Sequence, residues 1–252
     1  MGKNFMTDVS EAGDNHKRGF HIKDWPEGDR PREMLLEKGP EALSDAALLA
    51  ILLRTGRQGQ DAVGLAREML KNFGGFRGLM SATLPDLLGI KGIGKAKLAQ
   101  ILAAMEIVKR QLRQPLNQTD IIRNSHDLFE YLKVSMGTLS REEFRLLHLN
   151  RSMHLIAEEV LFRGTVDESA VYAREVIESA LRKKASALIL AHNHPTGPAH
   201  ASSEDIELTK SLVNACRIVG IPVLDHCIVG NDGFLSMKRE FPEIFEGENQ
   251  IE

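Results

Sequence analysis

The fold class that the sequence predicts is an α/β sandwich preceded by an all-helical domain, and three observations predict it. Residues 43–113 follow a helical apolar period. Beyond Pro115 the pattern becomes strand, strand, helix, strand, helix, strand, the order of an α/β or α+β sandwich and not of an all-parallel sheet. The charge changes at the same place. Residues 1–114 carry 18 basic and 14 acidic side chains, a net of +4. Residues 115–252 carry 14 basic and 21 acidic ones, a net of −7, with seven of the nine histidines. A basic half and an acidic, histidine-rich half read as two domains with different tasks. The expected bounds are a disordered stretch at 1–23, a helical domain over 24–114, a linker over 115–123, the sandwich over 124–247 and a tail at 248–252.

Each element has a local signal. Pro26, Pro31 and Pro40 among charges mark a loop with one short helix near 33–38. Ser44 is an N-cap for a helix over 45–54, with Gly56 as its stop. Asp61 starts the next helix, Leu65, Met69 and Leu70 mark its apolar face, and Gly74-Gly75 ends it. A short helix follows near 76–80, and Thr83 caps a turn of helix through Leu88. A longer helix runs from Lys95 to about Arg113 with Leu98, Ile101, Leu102, Met105 and Val108 on one face, and Pro115 follows its break. Residues 144–150 and 153–162 form a hairpin turning at Asn150-Arg151-Ser152. An amphipathic helix over 173–184 turns Val176, Ile177, Ala180 and Leu181 inward. The run SALILA at 186–191 is a buried strand, 203–219 a helix, and 222–229 a strand.

Composition excludes several function classes. The longest apolar run, Ala46 to Leu53, is eight residues, far short of the ~20 that a membrane helix needs. The N-terminal residues contain no apolar stretch of secretory type. Two cysteines, Cys216 and Cys227, allow neither a disulfide framework nor a cysteine-based zinc finger, and both fit buried positions. Aromatic residues at 5% are too few for a surface built mainly to stack bases.

Residues 87–99 (LLGIKGIGKAKLA) join two helices through Gly92-Ile93-Gly94. Glycines admit positive φ and close approach of the backbone. The start of the following helix favours an anion, and Lys91, Lys95 and Lys97 surround it. From Lys91 to Arg113 there are six basic residues and one acid, Glu106. That is the chemistry for holding a phosphate backbone without reading sequence. The segment resembles the helix-hairpin-helix signature of non-specific DNA-binding proteins. The plain alternative is a tight helical turn with a solvated basic face.

Residues 192–205 (HNHPTGPAHASSED) carry the strongest signal. In extended backbone His192 and His194 point to one side. Ten residues separate His194 from Asp205 in the first turn of the next helix. Two imidazoles and a carboxylate suit a catalytic zinc whose fourth position is left for water. Ser202-x-x-Asp205 can also be read as a helix capping box. His-x-His-Pro, the seven-residue gap to Ser202 and the Ser-x-x-Asp step together resemble the metal motif of the JAMM (MPN+) metalloprotease fold. That motif also uses an upstream glutamate as general base and acid. The resemblance favours Glu142, with Glu143 as the fallback. It assigns Ser202 to the developing oxyanion. His226, on the last strand, reads as a structural residue or as a support behind the metal rather than as a ligand.

The order of the two motifs, together with residues 32–54, 161–165 (LFRGT), 172–176 (YAREV) and 185–195, resembles the bacterial RadC family over roughly residues 25–245. The resemblance implies a helix-hairpin-helix domain followed by an α+β sandwich of MPN/JAMM type. It implies one Zn²⁺ per chain held by His192, His194 and Asp205, a cytoplasmic location and an association with DNA repair. The loop Ala199-His200-Ala201 is less proline-rich than the resemblance leads one to expect, with the ligand spacing intact. The expected activity is a zinc metallopeptidase-like hydrolysis of a peptide or isopeptide amide, with sequence-independent DNA contacts from Lys91, Gly92, Gly94, Lys95 and Lys97. The competing expectation is a DNA-repair accessory protein whose zinc is structural or vestigial. A zinc deaminase is the third and weakest expectation, because its His-x-Glu and Pro-Cys-x-x-Cys signature is absent.

Overall fold

Side-chain caps set where several helices begin. In the computed structural model, which describes residues 22–164 and 171–246, Ser44 Oγ accepts from the Ala47 N–H and starts α2 (Asp45–Leu53). Asp61 does the same for α3 (Ala62–Phe73), and Thr83 forms a capping box with Asp86 at α5 (Leu84–Leu88). The expected disorder over residues 1–23 falls outside the described residues up to residue 21, and Ile22–Asp24 is a 3-10 turn. The tail at 248–252 also lies outside them.

Two compact units divide between Ile101 and Leu102. The first contains α1 (Pro31–Lys38), α2, α3, α4 (Phe76–Ser81), α5 and the start of α6 (Lys95–Leu116). Its buried residues include Leu49, Leu53, Leu65, Met69, Leu79, Leu87 and Leu98. Gly56 does not stop α2 as expected. Arg54, at φ 64°, ends the helix two residues earlier. Gly56 serves a backbone crossing instead, for a Cβ there would lie 2.0 Å from the Gln60 carbonyl oxygen.

The apolar stripe of α6 does not cover one continuous face. Leu98 and Ile101 are buried, and Leu112 and Leu116 join a core of the second unit, while Leu102 and Val108 between them are 37% and 46% exposed. Pro115 lies inside the last turn of α6 and not beyond it, and its carbonyl accepts from Gln118 and Thr119.

Among the described residues, the second unit is built on a five-stranded mixed sheet in the order β2-β1-β3-β4-β5. β1 (Glu142–Leu149) pairs antiparallel with both β2 (Leu155–Gly164) and β3 (Ala187–Asn193). β3 is parallel to β4 (Val223–Val229), and the short β5 (Phe234–Ser236) closes the far edge antiparallel. All of β3 is buried, because both faces of the sheet are covered. Leu146, Leu188 and Leu190 face α8 (Ala173–Arg182) and α9 (Ser203–Ile218), in a cluster completed by Met237 of α10 (Met237–Glu240) and Ile244 of α11 (Pro242–Phe245). Leu147, Leu149, Ile189 and Ala191 face α7 (Ser125–Met136), in a cluster that includes Leu112 and Leu116.

The sequence reading missed α7, β5, α10 and α11. Leu181, expected inward, is 59% exposed, and Ala185 just beyond the helix fills the core in its place. Inside the sheet–α8 layer, Ser179 donates to Glu159 and bonds to His148 Nε2, so the buried hydroxyl is satisfied.

Because Leu190 is fully buried in the middle of β3, Leu190→Ala should lower unfolding stability by about 2–5 kcal/mol. Urea denaturation of the full chain, followed by far-UV circular dichroism, measures it.

Candidate metal centre

Strand β3 and the start of α9 deliver three ligand-type atoms to one place. His192 Nε2 lies 3.1 Å from Asp205 Oδ1, and His194 Nε2 lies 3.6 Å from Asp205 Oδ2. The two imidazole Nε2 atoms are 2.9 Å apart. Among the described residues these three form a group whose ligand atoms all lie within 4.8 Å of one another. Two nitrogens and a carboxylate oxygen are a donor set that zinc accepts readily.

Local backbone accounts for the convergence. His192 is the penultimate residue of β3, and the His194 N–H donates to the Val229 carbonyl, extending the alternation past the strand end. His194 Nδ1 faces the Pro198 carbonyl at 3.2 Å, so that nitrogen carries a hydrogen and, in the neutral ring, Nε2 is the lone pair. Asp205 is the third residue of α9. Its Oδ2 accepts from both the backbone N–H and the hydroxyl of Ser202, and its own N–H donates to Ser202 Oγ. Ser202 is therefore a working N-cap, with its hydroxyl engaged by Asp205.

The site attracts positive charge. Burial works against the charge of Asp205, but the imidazoles of His192 and His194 outweigh it and hold the carboxyl well below the usual carboxylate range. The Asp205 carboxylate raises the basicity of His194 against the effect of burial, and Glu142 adds to the rise. His226 lies behind His192, its Nε2 2.8 Å from His192 Nδ1, and burial pushes its basicity far down.

The two adjacent glutamates have different surroundings. Glu143 Oε2 accepts from Arg145 Nη2 at 2.7 Å, and Oε1 pairs with Arg163 at 2.9 Å. Arg145 also bonds Glu158, which takes the Tyr131 hydroxyl. Glu143 thus belongs to a buried ion network on the α7 side, where Arg145 also reaches the Ser135 carbonyl. Glu142 alternates to the other face with Phe144, whose ring stacks on His192 at 6.2 Å. Glu142 Oε2 is shielded from solvent and has no hydrogen-bond partner among the described residues. A buried carboxylate oxygen left this way costs more than about 1–3 kcal/mol. A polar group brought in by a bound ion would satisfy it. On both counts, the donor set and the orphaned oxygen, these residues fit a zinc ion.

Asn193 brackets Glu142 in a way the sequence reading did not foresee. Its Oδ1 accepts from the Glu143 N–H at 2.8 Å, and its Nδ2 donates to the Arg141 carbonyl at 3.1 Å. His200 stays on the loop between His194 and Asp205 and is exposed.

In the first unit the glycine hairpin forms, with Leu87, Ile93 and Leu98 buried beneath it. Its lysines are not equivalent. Lys97 Nζ donates to the carbonyls of Gly56 and Gly92 at 2.9 and 2.8 Å, so it staples the hairpin to the loop between α2 and α3. Arg57 reinforces the staple by bonding the Lys91 carbonyl. Gly92, at φ +94°, is needed for packing: a Cβ there would lie 2.8 Å from Arg57 Cβ. Lys91 and Lys95 are exposed, and Gly94 has open space beside it.

Comparison with known proteins agrees with this division. Residues 122–241 match the RadC-like JAB domain, and residues 22–99 match the UPF0758 N-terminal domain. A UPF0758 protein of Azotobacter vinelandii is 46% identical over 219 residues, 87% of this chain and 98% of its own length. One from Cellvibrio japonicus is 43% identical over 216 residues, covering 86% and 96%. Another, from Neisseria meningitidis, is 44% identical over 218 residues, covering 86% and 97%.

Asn193→Ala removes the acceptor of a buried N–H and should cost about 1–3 kcal/mol in the metal-free protein. Gly92→Ala should destabilise by a similar amount, about 1–3 kcal/mol, through its positive φ and the Arg57 contact, whereas Gly94→Ala should be close to neutral. Thermal melts of the three variants test both.

Proposed function

The chain belongs to the UPF0758 (RadC) family and carries a RadC-like JAB domain, and from that premise we propose that it is a zinc-dependent hydrolase of peptide or isopeptide amide bonds. One observation carries the reading: the buried, unpartnered Glu142 Oε2 on the face that also presents His192, His194 and Asp205.

His192, His194 and Asp205 would hold one zinc ion per chain. Bound there, the ion would supply Lewis acidity, bringing the pKa of water to about 7 and polarising a carbonyl. Glu142 takes the proton of the attacking water and delivers it to the leaving nitrogen, acting first as base and then as acid. Its Oε2 is shielded from solvent, which strengthens the electrostatic contacts of that oxygen. Asn193 holds the backbone on both sides of Glu142, so the carboxylate keeps its place during the transfer. Ser202, whose hydroxyl lies at the cap of the helix that carries Asp205, is the residue that would face the developing oxyanion.

Metal analysis of the purified chain should find about one zinc per chain, and His194→Ala should lose it. Glu142→Gln should keep the zinc while cleavage of a peptide and isopeptide panel falls by about 10²–10⁴-fold. A native protein that binds no zinc, or full cleavage after Glu142→Gln, would sink the reading.

A second reading concerns the first unit and is favoured by the exposure of Lys91 and Lys95 beside the open Gly94. The hairpin would hold the phosphates of DNA without sequence preference, with Lys97 supporting the turn and not contacting the nucleic acid. Lys91→Glu with Lys95→Glu should abolish a salt-sensitive binding to duplex DNA while leaving the melting temperature unchanged. Equal binding in the double variant would leave the basic face as a solvated surface.

A further inference from the structure

We infer that Thr209 and His226 are positioning residues that set the tautomer of His192 and so aim its Nε2 lone pair at the metal; the inference rests on the metal reading above. Thr209 on α9 and His226 on β4 are both fully buried. Thr209 Oγ1 lies 2.5 Å from the Asp205 carbonyl oxygen and 2.6 Å from His226 Nδ1. His226 Nε2 lies 2.8 Å from His192 Nδ1.

The polarity of this chain follows from its first link. A carbonyl oxygen only accepts, so at that separation the Thr209 hydroxyl donates its single proton to Asp205. The Thr209 oxygen then meets His226 Nδ1 as an acceptor, and Nδ1 carries a hydrogen. A neutral imidazole, the form that burial favours, has one N–H, which leaves His226 Nε2 as a lone pair. That lone pair accepts from His192 Nδ1–H, and His192 Nε2 is left unprotonated, facing Asp205 and His194. With the opposite polarity Thr209 would donate to His226, leaving two oxygens 2.5 Å apart with no hydrogen between them. The same reversal would put a proton on His192 Nε2, where the ligand lone pair is required. Met237 Sδ, 3.4 Å from Thr209 Oγ1, is too weak an acceptor to redirect the hydroxyl.

The relay begins on the backbone of one ligand and ends on the ring of another. It therefore couples the position of Asp205 at the start of α9 to the orientation of His192 at the end of β3. It also gives a fully buried histidine and a fully buried threonine a task in the site.

Thr209→Val keeps the side-chain shape and removes the hydroxyl, and Thr209→Ser restores it. In chelator-competition titrations of the full chain, Thr209→Val should bind zinc about 10–100-fold more weakly, and Thr209→Ser should return close to the wild-type value. Proton–nitrogen correlation spectra of the histidine rings in the metal-free chain should show His226 as the Nδ1–H tautomer in the wild type and in Thr209→Ser. In Thr209→Val the ring should switch to Nε2–H. Wild-type His226 found in the Nε2–H form, or a folded Thr209→Val protein that binds zinc as tightly as the wild type, overturns the inference. A wild-type chain that binds no zinc overturns the metal reading instead, while the tautomer of His226 still decides the relay.

Discussion

The register of β1 against β3 is the constraint on which the candidate site depends. Phe144 pairs with His192 across the antiparallel ladder, so Glu142 arrives beside the end of β3 on the face of the histidines. Side chains alternate along a strand, and a slip of one residue would bring Glu143 to that face and bury Glu142 on the other. Several contacts oppose such a slip. Asn193 bonds the backbone on both sides of Glu142. Arg145 and Arg163 hold the Glu143 carboxylate on the α7 side and at the sheet edge. A buried arginine cannot release its carboxylates without leaving a charge unpaired, which costs more than any single hydrogen bond. The ion network beneath the sheet therefore acts as a register lock for the carboxylate above it.

Ligand candidates were legible in the sequence where they are close in the chain. His192, His194 and Asp205 fall within fourteen residues, on a strand end and the helix start that follows it, and the periods of those two elements bring them together. The choice between Glu142 and Glu143 was legible only through family resemblance, because the partners that separate them, Arg145, Arg163 and Asn193, reach the pair across the sheet. Helix α7 was legible and overlooked: Leu128, Leu132 and Met136 recur at helical spacing, but the proline and polar residues ahead of them read as a linker. Of the relay behind His192 only a supporting place for His226 was legible; Thr209 and the polarity were not, because they depend on which atom carries each proton, and only distances decide that.

The hairpin shows the same limit from the other side. A count of lysines treats Lys91, Lys95 and Lys97 alike. The fold does not, for Lys97 reaches two carbonyls and partial burial lowers its basicity, while the other two face solvent. Gly92 and Gly94 divide in the same way. The first makes room for Arg57, and the second has open space beside its backbone. The basic excess of the first half is therefore partly structural, and the residues able to meet a phosphate are fewer than the motif suggests.

Ser202-x-x-Asp205 admitted two readings, a helix cap and a ligand with its helper; the geometry shows the cap, and the cap also positions the candidate ligand. The Ser202 hydroxyl and backbone N–H both donate to Asp205 Oδ2, which fixes the carboxylate rotamer before any ion is bound. The start of α9 adds the positive end of a sixteen-residue helix, which favours the ionised acid. Oδ1 remains directed at His192. A carboxylate held on one oxygen by its own cap and offered by the other needs little further ordering to bind a cation. The capping box thus orders the candidate ligand of the helix, and the proposed relay through Thr209, one turn farther along α9, extends that ordering to His192.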